Sequence, residues 1–171
     1  MDIRLETDRL ILRRYREEDF HVYAAMQADP EVARFLGGVR DLAGARDHFD
    51  KAQAHWRSKG YGKFAVEEKV SGLMVGRVGP TLHGDEPEIE LGWTMARAAW
   101  GRGYATEAAR LCAEWMFRTL VLNEVVSFID PANTASIRVA EKLGQTHTRD
   151  MLYDGEPLCV YAVSRSDFIG V

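Results

Sequence analysis

Residues Trp100-Gly101-Arg102-Gly103-Tyr104-Ala105-Thr106-Glu107 join a strand-like run, Glu88-Ile89-Glu90-Leu91-Gly92-Trp93-Thr94-Met95, to the most regular amphipathic segment of the chain. In that segment Ala105, Ala108, Ala109, Cys112, Trp115 and Met116 recur at helical spacing and form one apolar stripe. Two glycines stand where the backbone turns into this helix. Without a Cβ, Gly101 and Gly103 can take positive φ and let a ligand come close to the amides. The first N–H groups of a helix have no internal partner and carry the positive end of its dipole. A loop of this kind is suited to a phosphate or pyrophosphate.

Upstream, the patterning predicts three strands at 62–69, 73–82 and 88–95, separated by turn signals at Val70-Ser71-Gly72 and His83-Gly84-Asp85. Connections this short favour antiparallel neighbours. Before them stand a strand at 9–15, a helix at 17–28 ended by Asp29-Pro30, and a segment at 32–36 stopped by Gly37-Gly38. A second helix at 42–59 follows, with Gly60 as its C-terminal cap. Downstream, 124–129 is a nearly continuous apolar strand, as in a parallel pair covered on both faces. Asn133 is placed to cap a helix with Ile137, Ala140 and Leu143 inward, and two closing strands, 145–152 and 158–165, flank a turn at 154–157. The order predicts one α+β domain over residues 1–171, with a mixed sheet and a single strand–helix–strand crossover in its middle.

The chain has 171 residues, 46% of them hydrophobic and 28% charged, enough for one domain with a substantial core. A net charge of −4 gives no global basic field toward nucleic acid or anionic membrane. No apolar run approaches the ~18 residues of a membrane span, and the first residues lack a signal peptide's apolar stretch. Two cysteines, Cys112 and Cys159, lie far apart in apolar surroundings, which argues against a disulfide framework and predicts a cytoplasmic protein. His21, His48, His55, His83 and His147 show no metal-ligand spacing, so no metal is expected.

A lone Gly-x-Gly is as often a tight turn as a ligand loop. The third glycine of a dinucleotide fingerprint would fall at Thr106, and no Gly-Lys-Ser or Gly-Lys-Thr follows a glycine loop. The loop does resemble the acyl-CoA pyrophosphate loop of the GNAT N-acetyltransferases, Gln/Arg-x-x-Gly-x-Gly/Ala. Gly103 and Ala105 match that pattern and Trp100 departs from it. The departure is similar to the ribosomal-protein alanine N-acetyltransferase (RimJ/RimL-like) branch, where Trp-Gly-x-Gly-Tyr-Ala-Thr-Glu-Ala is a familiar string. The segments Glu6-Thr7-Asp8-Arg9-Leu10-Ile11-Leu12-Arg13, Asp29-Pro30-Glu31-Val32-Ala33-Arg34-Phe35-Leu36 and 133–144 resemble the opening strand, the first helix–loop element and the Asn-x-x-Ser helix of that branch. Together they span nearly the whole chain in family order.

The resemblance implies a GNAT-like fold: a mostly antiparallel seven-stranded sheet, about four flanking helices, and a splay between the fourth and fifth strands that admits the cofactor. It implies acetyl transfer from acetyl-CoA to a primary amine, either a protein N-terminus or a small molecule, and it is compatible with a homodimer. Backbone amides of Gly101, Arg102, Gly103, Tyr104, Ala105 and Thr106 would hold the pyrophosphate. Trp93 and Met95 would pair with the pantetheine arm, and Asn133 would contact it as well. The amine must lose a proton. Glu90, immediately before Leu91-Gly92-Trp93, is the expected base, with Glu88 two residues away as the alternative. The tyrosine that many members use to protonate the leaving thiolate is replaced by Ala140, which leaves Ser136 as the expected acid and Tyr153 and Tyr161 in reserve. Arg34, Phe35 and Gly37-Gly38 would lie over the acceptor pocket. Two other readings remain at this point: an acyl-CoA sensor of the same fold without turnover, and a nucleotide-binding module.

Overall fold

The computed structural model describes residues 3–82 and 88–169, so the turn expected at 83–85 lies outside the described residues. Eight strands form one sheet: β1 (Arg4–Glu6), β2 (Leu10–Arg13), β3 (Phe64–Glu68), β4 (Met74–Leu82), β5 (Ile89–Met95), β6 (Glu124–Ile129), β7 (Thr146–Tyr153) and β8 (Glu156–Ser164). They lie in the order β1-β2-β3-β4-β5-β6-β8-β7. All neighbours are antiparallel except β5 and β6. Among the described residues six α-helices accompany them: α1 (Phe20–Ala28), α2 (Pro30–Ala33), α3 (Leu42–Lys59), α4 (Tyr104–Thr119), α5 (Thr134–Lys142) and α6 (Arg165–Ile169). Among the described residues no helix is long and apolar enough to cross a membrane.

The eighth strand corrects the expected count of seven. Thr7 breaks the opening segment, because its N–H donates to Leu10 O (3.0 Å) while its hydroxyl accepts the Leu10 N–H (2.9 Å). This turn folds Arg4–Glu6 back on β2. The two helices beyond the expected four are short. Asp29 Oδ1 accepts the Glu31 N–H (2.9 Å) and Pro30 fills the first position of α2, so the chain turns helical immediately after the residue that ends α1. The closing strand stops at Ser164, one residue before the expected end, where the Ser164 hydroxyl accepts the Asp167 N–H (3.2 Å) and starts α6.

Two layers of helix cover the sheet. Alternation along β3 sends Phe64 and Val66 toward α4 and Ala65 toward α1 and α3. On the α4 face Leu10, Leu12, Phe64, Val66, Val78 and Leu91 meet the stripe of Ala108, Ala109, Cys112, Trp115 and Met116. Phe64, Leu91 and Met116 are fully buried, each contributing roughly 1.5–3 kcal/mol. On the other face Tyr15, Tyr23 and Phe49 pack edge to face or tilted, with centroids 5.0–5.6 Å apart. Gly60, at φ 75, ends α3, and Trp56 from its last turn donates Nε1–H to Lys63 O (2.7 Å).

The functional consequence of this topology is a fork. β5 and β6 share a single bridged pair, Glu90 with Val126. β5 then continues along β4 to Met95, while β6 continues along β8 to Ile129. One further tie crosses the gap, from the Ser127 hydroxyl to Leu91 O (2.8 Å). The register decides what lines the opening. Ala96 N–H donates to Val75 O (2.9 Å), so hydrogen-bonded pairs on the β4–β5 ladder fall at 75/96, 77/94 and 79/92. Leu91, Trp93 and Met95 therefore turn their N–H and C=O groups away from β4, toward the fork.

Candidate active site

The mouth of α4 opens on this fork. Gly101 (φ 73) and Gly103 (φ 77) both take left-handed backbone, which a residue with a Cβ adopts only at a cost. Gly103 is the N-terminal cap and no side chain caps the helix; the first intrahelical bond runs from Glu107 N–H to Gly103 O (3.1 Å). The N–H groups of Tyr104, Ala105 and Thr106 precede that bond. Trp100 donates its indole N–H to Met95 O (2.9 Å), folding the loop back on the end of β5.

A set of side chains behind the loop holds its shape. The Glu107 carboxylate accepts the Thr7 hydroxyl (2.5 Å), Arg9 Nε (2.8 Å) and Arg9 Nη2. Arg9 Nη1 reaches Arg102 O (3.0 Å) within the loop itself. Burial pushes the Glu107 carboxyl up, but the hydrogen bonds from Thr7 and Arg9 outweigh it and leave the group below its ordinary range. Tyr104 is buried and donates its phenol to Glu68 (2.6 Å), with the Arg9 and Arg102 guanidinium groups each 4.7 Å from its ring centroid. The turn between β1 and β2 and the glycine loop, more than 90 residues apart, are thus clamped into one unit.

A cleft of about 630 Å³ lies at the open end of the fork, between the end of β5, the glycine loop and the start of α5. Trp93, Thr94 and Met95 line one wall, and Gly101, Gly103, Tyr104, Ala105 and Thr106 line the floor. Asn133 and Ser136 line the opposite wall. Asn133 Oδ1 accepts the Ser136 N–H (3.1 Å), capping α5. Over the opening lie Glu31, Val32, Arg34, Phe35 and Leu36, just before Gly37 (φ 80) and Gly38 (φ 88).

The fold thus gathers Trp93, Met95, the loop amides, Asn133 and Ser136 around one space. Two expected residues stand apart from it. Arg102 stays in the loop with its backbone, but its guanidinium leaves to pair with Glu68 (2.7 Å). Glu90 is buried (8% exposed) at the closed end of the fork and does not line the cleft. It shares a sheet face with Gly92 and Thr94. A Cβ at Gly92 would lie 3.4 Å from Glu90 Oε2 and 3.1 Å from Lys63 Nζ, so a side chain there would crowd both charges. Glu88 is held by Arg149 Nη2 (2.8 Å), Ala140 is fully buried, and Tyr161 lies against His147, away from the cleft.

Beneath Glu90 the α1/α3 face carries a partly buried polar array. Arg77 donates to the Tyr23 hydroxyl (3.0 Å), which shares a hydrogen bond with His48 Nδ1 (2.7 Å). Burial, then Arg77, pull the Lys63 ammonium down to about 8, against the opposing pull of Glu90. Burial together with Arg77 and Arg40 brings His48 to about 4. Sequence patterning missed Thr7, Arg9 and Glu107 as a clamp, and also Ser127 and Lys63. Arg9 and Glu107 lay inside quoted motifs, but nothing local told that they meet.

Comparison with known proteins agrees with this geometry. Residues 9–146 match the family model described as an acetyltransferase (GNAT) domain. The chain is 32% identical over 161 residues to YkkB of Bacillus subtilis (strain 168), covering 92% of this chain and 94% of that protein. It superposes on the crystal structure of an acetyltransferase from Agrobacterium tumefaciens str. C58 with a TM-score of 0.85, at 35% identity and 95% coverage of both chains. Aminoglycoside acetyltransferase AAC(6')-Ib, solved in complex with coenzyme A, shares the fold at a TM-score of 0.80 and 16% identity, over 95% of this chain and 98% of that one. Because the matched span runs from Arg9 through the glycine loop and on past the Asn133 helix, the chain belongs to the GNAT family of N-acetyltransferases.

Proposed function

We propose that the chain transfers an acetyl group from acetyl-CoA to a primary amine, with the cofactor lying in the β5–β6 fork. One observation carries this reading: an uncapped helix mouth with two left-handed glycines opens on a strand edge whose amides face the same cleft. The amides at 101–106 suit a diphosphate. The outward N–H and C=O groups of Trp93 suit the amides of a pantetheine arm, and the Met95 N–H can polarise a thioester carbonyl while the Met95 carbonyl takes the Trp100 indole N–H. Asn133 keeps its side-chain amide N–H₂ for the same arm while its oxygen caps α5.

In this reaction the amine nitrogen attacks the acetyl carbonyl carbon, a C–N bond forms and the C–S bond breaks. The amine proton goes to Glu90 through water beside Gly92, and the thiolate takes the Ser136 hydroxyl proton as water returns one to Ser136. The acceptor lies under Arg34 and Phe35, in the manner of the RimJ/RimL-like branch that the sequence resembles. The test is acetyl-CoA consumption against peptides with free N-termini, polyamines and aminoglycosides, with Glu90→Gln as the probe. Turnover should fall and the pH optimum rise while coenzyme A affinity holds. An unchanged pH–rate profile removes Glu90 as the base, and failure to bind coenzyme A removes the reading itself.

A further inference from the structure

The edge hairpin β7–β8 carries a second group of chemistry-bearing side chains, which the cleft does not use. Its register pairs His147 with Tyr161 and Asp150 with Cys159. An irregularity between His147 and Arg149 makes Thr148 an extra residue. His147 and Asp150, three apart, therefore reach the same face of the sheet; regular pleating would send them to opposite faces. On that face His147 Nε2 lies 2.8 Å from Asp150 Oδ1. One imidazole nitrogen, one carboxylate oxygen and Cys159 Sγ all lie within 4.8 Å of one another.

We propose that His147, Asp150 and Cys159 form a surface site for a zinc-class divalent cation. Zinc takes nitrogen, oxygen and thiolate donors at roughly 2.0–2.3 Å in a tetrahedron, which spaces the donors roughly 3.3–3.8 Å apart. The His147–Asp150 separation of 2.8 Å is shorter than that spacing, and no pair exceeds 4.8 Å. The adjustment falls on freely turning side chains, since those of His147 and Asp150 are 45% and 78% exposed. Water completes the fourth position. A thiolate with an imidazole selects zinc over calcium or magnesium, which prefer all-oxygen shells. On binding, the Cys159 thiol releases its proton to solvent as the metal–sulfur bond forms, and the His147–Asp150 hydrogen bond is exchanged for two metal bonds.

The surroundings favour a cation. The negative charge of Asp150, then of Asp130 at the end of β6, acts on Cys159, and that of Glu141 on α5 acts on Tyr161 beside it. A nucleophilic cysteine fits less well. That role needs the imidazole on the sulfur with the carboxylate behind it. Here the imidazole is engaged with Asp150, and burial followed by Asp150 pushes the thiol up.

The test uses the full chain, stripped with chelator and titrated with Zn²⁺ by calorimetry and with Co²⁺ by absorption. One equivalent should bind with proton release, and cobalt should show a thiolate charge-transfer band. Cys159→Ser should abolish the band. His147→Ala should weaken zinc by more than about tenfold, since even the groups that orient a ligand are worth that much. Cys112→Ala, altering the buried cysteine of α4, should leave both signals intact. A cobalt complex without the band, zinc affinity unchanged in Cys159→Ser or His147→Ala, or no binding at millimolar metal would overturn the assignment.

Discussion

Gly103→Ala tests whether the shape of the helix mouth is what grips the cofactor. At φ 77 the new methyl group meets only Arg9 Nη2, at 3.6 Å, an ordinary contact, so the penalty is conformational and not steric. A left-handed alanine costs about 1–2 kcal/mol. If the loop keeps its shape, that strain appears as lost stability, offset by about 0.4–1 kcal/mol from the stiffer unfolded chain, and lowers Tm by a few degrees at most. If the loop relaxes, the ligand must restore the shape, and coenzyme A binds about 5- to 30-fold more weakly. Arg9 holds the carbonyl of Arg102 next door but not Gly103 itself, so relaxation, and hence the affinity loss, is the expected result. Gly72→Ala is the control: at φ 68 with nothing within 4 Å, it carries the same strain in the β3–β4 turn, remote from the cleft. Calorimetric titration with coenzyme A and thermal melting should separate the two, with affinity falling only in Gly103→Ala. Equal affinities in both variants would refute a role for the left-handed mouth in binding.

Glu107→Ala removes the acceptor shared by Thr7 and Arg9, and steady-state kinetics should show KM for acetyl-CoA rising several-fold with kcat nearly unchanged; a fall in kcat alone would count against the clamp. Ser136→Ala should slow turnover by less than about tenfold, because a thiolate with a pKa near ~8.5 leaves without much help. A stability–pH series tests the Lys63 ammonium. Lys63 falls from 10.5 to about 8, so between those values the unfolded chain holds more protons and stability rises with pH; Lys63→Met should lose that rise and be the more stable protein at neutral pH. His48 falls from 6.5 to about 4, so stability declines as pH drops through that window, and His48→Phe should flatten the decline in acid denaturation.

Patterns within one element were legible in the sequence. The α4 stripe, the glycines before it, Gly60 after α3 and Asn133 before α5 each depend on neighbours three or four residues away, and each stands where periodicity or capping chemistry put it. Short local structures with weak signals were not legible. The Thr7 turn adds a strand through two hydrogen bonds to a residue three positions on, a pattern common in any polar segment.

By itself the sequence determined the class of fold, the order of its longer elements and the loop that marks the family, because helix stripes, strand alternation and glycine backbone are set by local sterics. Only the tertiary structure decided that Arg9 and Glu107 clamp that loop, that Lys63 and Glu90 flank one missing side chain, and that a one-residue bulge brings His147, Asp150 and Cys159 together. Those meetings depend on strand register and on the point where β5 and β6 part. Register is settled by packing the whole sheet against two helical layers, a sum over distant contacts that no single stretch of residues contains.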